Sequence, residues 1–278
     1  MYVISHQGGG FKGAFGVPIL RHLMTQRDPD LVLGVSVGAI NGVVACQGEF
    51  ELLEDLWLDI DDKNAINGVR GFLKPSFLKG RALFSLEPLR EKMKENLSLD
   101  KLKVPFGCGV VARETSEYHT FMSRTMKQDV RLINAVEASS AISGLMEPVV
   151  MKLRGKNYTF CDGGHLHSVP LLPLWVQRKV KEIDVILTNP IEHVDQMSED
   201  VDGIMESIEW LLHIQNTGIQ SADLGRYRTI AKNQGALLRV FAPKEDLGSM
   251  LKTDRETIQR RWDLGIEAVK NPVIYDYR

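Results

Sequence analysis

The sequence predicts an α/β fold: a three-layer α/β/α arrangement with a mainly parallel central sheet. The order of the predicted elements leads to this prediction. In the first half of the chain, short apolar runs alternate with stretches whose apolar residues recur at helical spacing. Strands that alternate with helices in this way form parallel sheets with right-handed crossovers. No linker-like stretch divides the sequence, so we expect residues 1–278 to form one domain.

The predicted elements follow one another along the chain. In the first half they are strands at 1–5, 31–35, 104–112 and 118–122, and helices at 13–27, 37–47, 49–60 and 129–142. In the second half they are a hairpin formed by 146–153 and 157–161, a strand at 180–189, and a mainly helical part from about 199 to 278.

Within this helical part we expect a long amphipathic helix at 199–221 and one more strand at 236–243. The pair Thr253 and Glu256 has the spacing of a capping box, which predicts the start of a final helix. That helix is expected to run to about Lys270 and to end before Asn271-Pro272.

Composition narrows the function classes. The 278 residues carry a formal net charge of -2, with 44% hydrophobic and 25% charged residues, as in ordinary globular proteins. The near-neutral charge argues against a nucleic-acid partner, which normally requires a basic excess. The three cysteines form no CxxC pair, and no signal-peptide pattern or membrane-spanning run is present. We expect a cytoplasmic protein that contacts a membrane peripherally, although export without a signal stays open.

A glycine-rich stretch, HQGGGFKGAFG, follows the first strand at residues 6–16. Its Gly8-x-Gly10-x-x-Gly13 spacing matches the dinucleotide-binding fingerprint, but such a turn also suits an oxyanion formed during a reaction. A dinucleotide site needs an acidic residue at the end of the second strand. That strand leads into Ser36 instead, which disfavours a cofactor. Lys12 either fixes this loop, binds a phosphate headgroup or is a solvated cation at a helix start.

Residues 34–38 read Gly-Val-Ser-Val-Gly, between the second strand and a small-residue helix. This is the pattern of a nucleophile elbow, in which a cramped turn exposes the serine hydroxyl beside a helix N-terminus. The alternative is that Ser36 only caps the helix. A nucleophilic serine needs a base. The late histidines, His193 and His213, lie in no motif, so a conventional Ser-Asp-His order is poorly supported.

The candidate base is Asp162, which ends an apolar strand and precedes Gly163-Gly164. An aspartate at this position can project to the sheet edge where α/β active sites form, or it can simply belong to an Asp-Gly turn. His165 and His167 follow at alternating positions. No cluster of Cys, Asp or Glu accompanies them, so we do not expect a metal site.

Taken together, the three motifs resemble the patatin-like phospholipase family in order and spacing. They are Gly8-Gly9-Gly10-x-Lys12-Gly13, Gly34-x-Ser36-x-Gly38 and Asp162-Gly163-Gly164. The segments EASSAISGLMEPV (137–149), HSVPLLPL (167–174) and ALLRVFAPKE (236–245) also resemble the family, so the likeness covers nearly the whole chain. The sequence departs from the family pattern at Ser143-Gly144-Leu145-Met146-Glu147 and at Ser168, which affects expectations about substrate preference more than about the reaction.

The resemblance implies a lipid acyl hydrolase that cleaves carboxylic esters with a Ser-Asp dyad and an acyl-enzyme, without metal or organic cofactor. It assigns Ser36 as nucleophile, Asp162 as base, and the amides around Gly8, Gly9 and Gly10 as the oxyanion hole. The remaining motif residues support these groups: Lys12, Gly13, Gly34, Gly38, Gly163 and Gly164. Two alternatives stay open, namely an esterase or thioesterase for soluble substrates and a catalytically silent binding module.

A basic segment at residues 63–86 is a candidate for lipid contact. It contains Lys and Arg, several Phe and Leu, and no acidic residue until after Ser85. Cationic side chains interleaved with apolar ones suit an anionic membrane surface. The alternative is a solvated connecting loop. The expected partner is therefore a lipid ester substrate, with transient membrane contact through about 63–86.

Overall fold

Eleven strands and eight α-helices are found in the residues that a computed structural model describes, which are 1–58, 74–75, 84–192 and 203–278. The strands are β1 (Tyr2–His6), β2 (Leu31–Gly34), β3 (Lys74–Pro75), β4 (Phe84–Ser85), β5 (Phe106–Ala112), β6 (Glu117–Met122), β7 (Val149–Leu153), β8 (Lys156–Asp162), β9 (Glu182–Ile186), β10 (Leu237–Phe241) and β11 (Val273–Asp276).

The α-helices are α1 (Gly16–Gln26), α2 (Val37–Gln47), α3 (Phe50–Leu58), α4 (Glu87–Asn96), α5 (Asp129–Ser139), α6 (Leu174–Gln177), α7 (Ile204–Gln234) and α8 (Arg255–Ala268). Short 3-10 helices lie at Gly10–Phe15, Leu99–Lys101, Ser123–Thr125 and Gly163–His165.

The central sheet has nine strands in the order β11-β10-β9-β1-β2-β5-β8-β7, with β6 also paired to β5. From β10 to β5 all neighbours are parallel, whereas β11, β6, β8 and β7 pair antiparallel. β3 and β4 form a separate two-stranded pair. The predicted α/β fold with a mainly parallel sheet is confirmed, and antiparallel strands extend it at both ends.

Helices cover both faces of the sheet and give two separate hydrophobic cores. Alternate residues of β1 point to opposite faces, as a strand requires: Ile4 belongs to one core and Val3 to the other. The larger core lies beneath α1, α2, α3, α4, α5 and α8, and the smaller one beneath α6 and the second half of α7. The first half of α7 packs Ile208 and Leu212 against the larger core. The helices of the larger core therefore include α2, which begins at the Ser36 turn.

Strands β2 and β8 approach each other end to end along β5. Strand β6 occupies one edge of β5 over Gly107–Ala112, so β2 and β8 must share the opposite edge. On that edge Gly34 pairs with Cys108, and Asp162 pairs with Val110. Because the two strands run in opposite directions, their carboxyl ends converge on the middle of β5.

Several predicted elements differ from the structure near the C-terminus. The N-cap of α8 is Asp254, whose side chain accepts a hydrogen bond from the Thr257 amide at 2.9 Å. The prediction that Thr253 caps this helix was therefore wrong. The helix predicted at 199–221 continues to Gln234, and its residues 199–202 lie outside the described part. The chain also forms β11 after Asn271-Pro272, where the sequence indicated only a stop.

Candidate active site

Ser36 lies on a strained turn between β2 and α2. Its backbone has φ 55° and ψ −128°, a conformation that non-glycine residues adopt only when the surroundings impose it. The surroundings here are tightly packed backbone. A Cβ atom on Gly38 would clash with the carbonyl oxygens of His6 and Gln7, and one on Gly34 would clash with the Gly38 carbonyl. Both motif glycines are thus required for the close approach that forms the turn.

Two serines at the end of α5 hold the Ser36 backbone in place. The Ser36 amide donates to Ser139 Oγ at 3.0 Å, and that hydroxyl donates to the Gly109 carbonyl at 2.7 Å. The Ser140 hydroxyl donates to the Ser36 carbonyl at 3.3 Å. Sequence reasoning did not assign either serine a role, because both lie more than a hundred residues from Ser36 along the chain. The only signal was their place in the small-residue segment that resembles the family.

Asp162 is buried at the end of β8 and accepts a hydrogen bond from the Gly164 amide, at 2.7 Å to Oδ1. Burial raises the pKa of Asp162 above its ordinary value, while nearby His165, the Gly164 amide and the adjoining Ser36 hydroxyl oppose that rise. Within the described part of the chain, no Lys or Arg forms an ion pair with this carboxylate. Gly163 continues directly into the short 3-10 helix.

The glycine-rich loop presents two backbone amides without partners. The Gly8 amide donates to the Ser168 carbonyl at 3.1 Å. The amides of Gly9 and Gly10 have no hydrogen-bond partner among the residues that the structure describes. Gly9 has φ 140°, and a Cβ atom there would overlap the Thr188 hydroxyl, so only glycine fits.

A buried network of hydrogen bonds between Gln7, Thr188 and Gln220 holds the glycine-rich loop in position. The Thr188 amide donates to Gln7 Oε1 at 2.8 Å, and the Thr188 hydroxyl donates to the Gly8 carbonyl. Gln7 Nε2 donates to Gln220 Oε1 of α7 at 2.8 Å. Sequence reasoning missed these residues, since Gln7 and Thr188 are 181 positions apart and neither lies in a motif.

Lys12 is buried and forms an ion pair, so neither a solvated cation nor a headgroup contact fits it. Its Nζ donates to Asp246 Oδ1 at 3.2 Å and to Asn189 Oδ1 at 3.0 Å, and 5% of its side chain is exposed. Burial lowers the pKa of Lys12, and the Asp246 carboxylate opposes that shift. The remaining expectation, that Lys12 fixes the loop, agrees with these contacts. Neighbouring Gly13 is held through its carbonyl, which accepts from Asn41 Nδ2 at 2.9 Å.

A cleft lined by Ser36 and Asp162 lies where the carboxyl ends of β2 and β8 converge. Gly8, Gly9 and Met250 also line it, together with residues of α7 and of the segment after α5. The cleft therefore brings the three predicted motifs together at one place. Its remaining lining residues are Ile142, Gly164, His165, Leu212, Gln215 and Asn216.

The histidines of the sequence analysis have separate surroundings. His165 Nε2 accepts from the Ser143 amide at 3.0 Å, whereas His167 Nδ1 bonds to Asp223 Oδ1 at 2.7 Å. His213 lies on α7, where its Nε2 bonds to the Thr217 hydroxyl at 3.2 Å. His193 lies outside the described residues. In the described ranges, no three His, Cys, Asp or Glu side chains converge as metal ligands would.

The predicted lipid contact at 63–86 lies almost entirely outside the described residues, so it stays a prediction. Among the helices that the structure does describe, none has the length and apolar character needed to cross a bilayer.

Comparisons with known proteins agree with the resemblance seen in the motifs. A family model described as patatin-like phospholipase matches residues 4–175, which contain Ser36, Asp162 and all three glycine motifs. A search of curated protein sequences finds no match. Among solved structures, VipD from Legionella pneumophila is similar with a TM-score of 0.47 and 13% identity, over 99% of this chain and 68% of that one. On the strength of the family match, which spans more than half of its length, the chain belongs to the patatin-like phospholipase family.

Proposed function

We propose that this protein is a serine lipid acyl hydrolase of the phospholipase A or lysophospholipase type. Membership of the patatin-like phospholipase family supports lipid acyl hydrolysis in general. The observation that carries the finer proposal is that Ser36, on its strained turn, and buried Asp162 line the same open cleft. A strained serine beside a carboxylate is the arrangement that nucleophilic ester cleavage requires.

Asp162 acts as the general base in this proposal. An ordinary aspartate, with a pKa of about 3.9, is a weak base for a hydroxyl. Burial raises the pKa of Asp162, which makes its carboxylate a stronger base than in water. Ser36 adjoins this carboxylate in the cleft, so the proton moves to Asp162 as Oγ attacks the ester carbonyl.

The amides of Gly9 and Gly10 stabilise the oxyanion formed by that attack. Of the three expected glycines, Gly8 already donates its amide to Ser168, so we assign the role to the other two. Fixed donors of this kind contribute roughly 3 kcal/mol each to lowering a barrier. The Gln7–Thr188 network keeps the loop in position without any cost at the moment of reaction.

The reaction proceeds through an acyl-enzyme. Collapse of the tetrahedral intermediate breaks the ester C–O bond, and protonated Asp162 returns its proton to the leaving alcohol. Water then attacks the acyl group on Ser36 while Asp162 accepts a proton from it. A second collapse releases the fatty acid and restores the Ser36 hydroxyl, so that one ester and one water give one alcohol and one acid.

A substrate panel tests this proposal. Phospholipids, lysophospholipids and soluble short-chain nitrophenyl esters are assayed with wild type, Ser36→Ala and Asp162→Asn. We expect release of fatty acid from the lipids by wild type and loss of hydrolysis in both variants. Hydrolysis restricted to soluble esters or thioesters would favour the esterase alternative. No hydrolysis of any substrate by folded wild type would favour the silent binding module.

A further inference from the structure

We propose that the amino-terminal half of α7 docks this protein on the lipid surface that holds its substrate. The docking surface consists of Trp210, Leu211 and Ile214, which we call the α7 patch. The inference rests on the proposed function, because a substrate embedded in a membrane or micelle must pass from that surface into the cleft. It assigns the contact to a region different from the basic segment at 63–86.

The α7 patch is apolar, exposed and continuous. Trp210 is 49% exposed, Leu211 60% and Ile214 48%. Ile214 is four positions from Trp210 and three from Leu211, and residues at these separations are neighbours on a helix surface, so the Ile214 side chain adjoins both of the others. Single exposed apolar residues are common on proteins, whereas adjoining ones mark surfaces that contact something else.

The two halves of α7 differ in what they contact. Beyond Gln220 the helix buries Leu224, Tyr227 and Ala231 in the smaller core, each at most 5% exposed. The first half packs partly buried Ile208 and Leu212 against the larger core and leaves the α7 patch exposed. It is therefore apolar on its exposed side as well, where an ordinary surface helix carries polar residues.

The α7 patch adjoins the mouth of the catalytic cleft. Leu212, Gln215 and Asn216 of the same helix line the cleft, and Leu211 is the i,i+4 neighbour of Gln215. Gln215 Nε2 also donates to the His165 carbonyl at 2.9 Å, which ties this part of α7 to the cleft rim. A surface that covers the patch therefore also faces the cleft opening.

The chemistry of the patch fits a lipid surface with little net charge. Tryptophan and leucine partition well into the boundary between headgroups and acyl chains. The sequence from Gly203 to Gln220 contains Glu206 and Glu209 but neither Lys nor Arg. Apolar burial and not charge attraction would hold the helix there, so we commit to a zwitterionic surface and expect binding that salt does not weaken.

The test is binding to phosphatidylcholine vesicles, measured by co-sedimentation in a Ser36→Ala background so that no lipid is hydrolysed. We expect Trp210→Ala/Leu211→Ala to lower the partition coefficient by about tenfold or more. The matched control is Leu174→Ala/Trp175→Ala on α6, whose side chains are 71% and 40% exposed. Helix α6 precedes the amino end of β9, whereas the cleft lies at the carboxyl ends of β2 and β8. We therefore expect vesicle binding of this control to be unchanged.

Several outcomes would overturn the proposal. They are unchanged binding of the patch variant, an equal loss in the α6 control, and no vesicle binding by the Ser36→Ala parent. Loss of a dimer in the patch variant, with vesicle binding retained, would assign the patch to a second copy of the chain instead. Release of binding between 0.1 and 1 M salt, as roughly expected for charge attraction, would also contradict it.

Hydrolysis of a soluble short-chain ester separates this inference from the proposed function. With Ser36 present, the patch variant should hydrolyse that ester at the wild-type rate, since neither substituted residue lines the cleft. Absence of ester hydrolysis in wild type would defeat the proposed function, while the vesicle result would still decide where the chain docks.

Discussion

Two buried aspartates of this protein have opposite surroundings. Asp184 in β9 is fully buried, and Arg239 of the adjacent strand donates to both its oxygens, at 2.6 and 2.8 Å. The Tyr2 hydroxyl donates to it at 2.6 Å. Asp162 is 4% exposed, yet among the described residues its carboxylate accepts a hydrogen bond from the Gly164 amide and none from a guanidinium or ammonium group.

The difference separates a structural carboxylate from a reactive one. Both oxygens of Asp184 are occupied by the Arg239 guanidinium and the Tyr2 hydroxyl, which suits a structural role. A buried carboxylate without such a partner stays basic, because desolvation disfavours its charged form. Asp162, the carboxylate beside the strained Ser36, therefore lacks a cationic ion-pair partner among the described residues, and this lowers the stability of the fold.

The largest expected effect is on catalysis. Asp162→Asn should lower kcat/KM for a soluble ester by about 10²–10⁴-fold, since the amide cannot accept the Ser36 proton. Asp184→Asn should leave the rate per folded molecule close to wild type. Steady-state kinetics corrected for the folded fraction measures both. Comparable losses in the two variants would mean that Asp162 acts only through the fold.

The second effect is on stability, where Asp184→Asn is the variant that loses and Asp162→Asn is not. Asp184→Asn should lower the free energy of unfolding by about 3 kcal/mol, because it leaves the Arg239 guanidinium partly buried without its carboxylate. Denaturant unfolding measures this value. The double variant Asp184→Asn/Arg239→Met removes both charges and should recover part of the loss. If Asp184→Asn were as stable as wild type, Asp184 would not have the structural role assigned to it.

The third effect is a pH dependence of the rate. Only the carboxylate form of Asp162 can accept the proton, and burial raises its pKa. We expect kcat/KM to rise by about tenfold per pH unit below that pKa and to level off above it. The residual activity of Asp162→Asn should lack this rise. A wild-type profile flat from acid to neutral pH, on a substrate without titratable groups, would contradict the assignment.

The smallest effect is a gain in stability. Because the folded-state pKa of Asp162 is raised, the unfolded chain loses this proton first as the pH rises. The resulting loss of stability begins near the ordinary value of about 3.9 and is complete above the raised pKa. Asp162→Asn avoids it and should be more stable than wild type by about 1 kcal/mol at neutral pH.

The measurement for this last effect is denaturant unfolding of both proteins across the pH range. The difference should vanish at the acid end, where wild-type Asp162 is protonated in both states. If Asp162→Asn were less stable than wild type at neutral pH, the Asp162 carboxylate would be stabilised by its surroundings in the folded protein, which contradicts this prediction.

The sequence could predict the motifs because each of them is local. Gly34, Ser36 and Gly38 lie within one turn, where close backbone approach dictates the residue types. The α/β alternation likewise indicated the fold. The convergence of β2 and β8 could not be predicted, because it depends on both strands sharing one edge of β5. An antiparallel strand, and not another parallel one, delivers Asp162 to Ser36.

Long-range partners also escaped the sequence. Lys12 pairs with Asp246, and Gln7 contacts Thr188, at separations of 234 and 181 residues. No periodicity or motif links such positions, so the sequence could not decide whether Lys12 fixes the loop, binds a headgroup or is solvated. The cap of α8 was predicted one residue too early, because Thr253 and Asp254 are adjacent and both residue types cap helices.

The central claim is that Asp162 activates Ser36, and fluorophosphonate labelling tests it most directly. The rate of labelling is followed by mass spectrometry of the intact protein, and the modified residue is identified in the digested protein. We predict labelling at Ser36 in wild type and in Asp184→Asn at similar rates, and labelling of Asp162→Asn at least about a hundredfold slower. Labelling of Asp162→Asn at the wild-type rate, or modification at a serine other than Ser36, would contradict the claim.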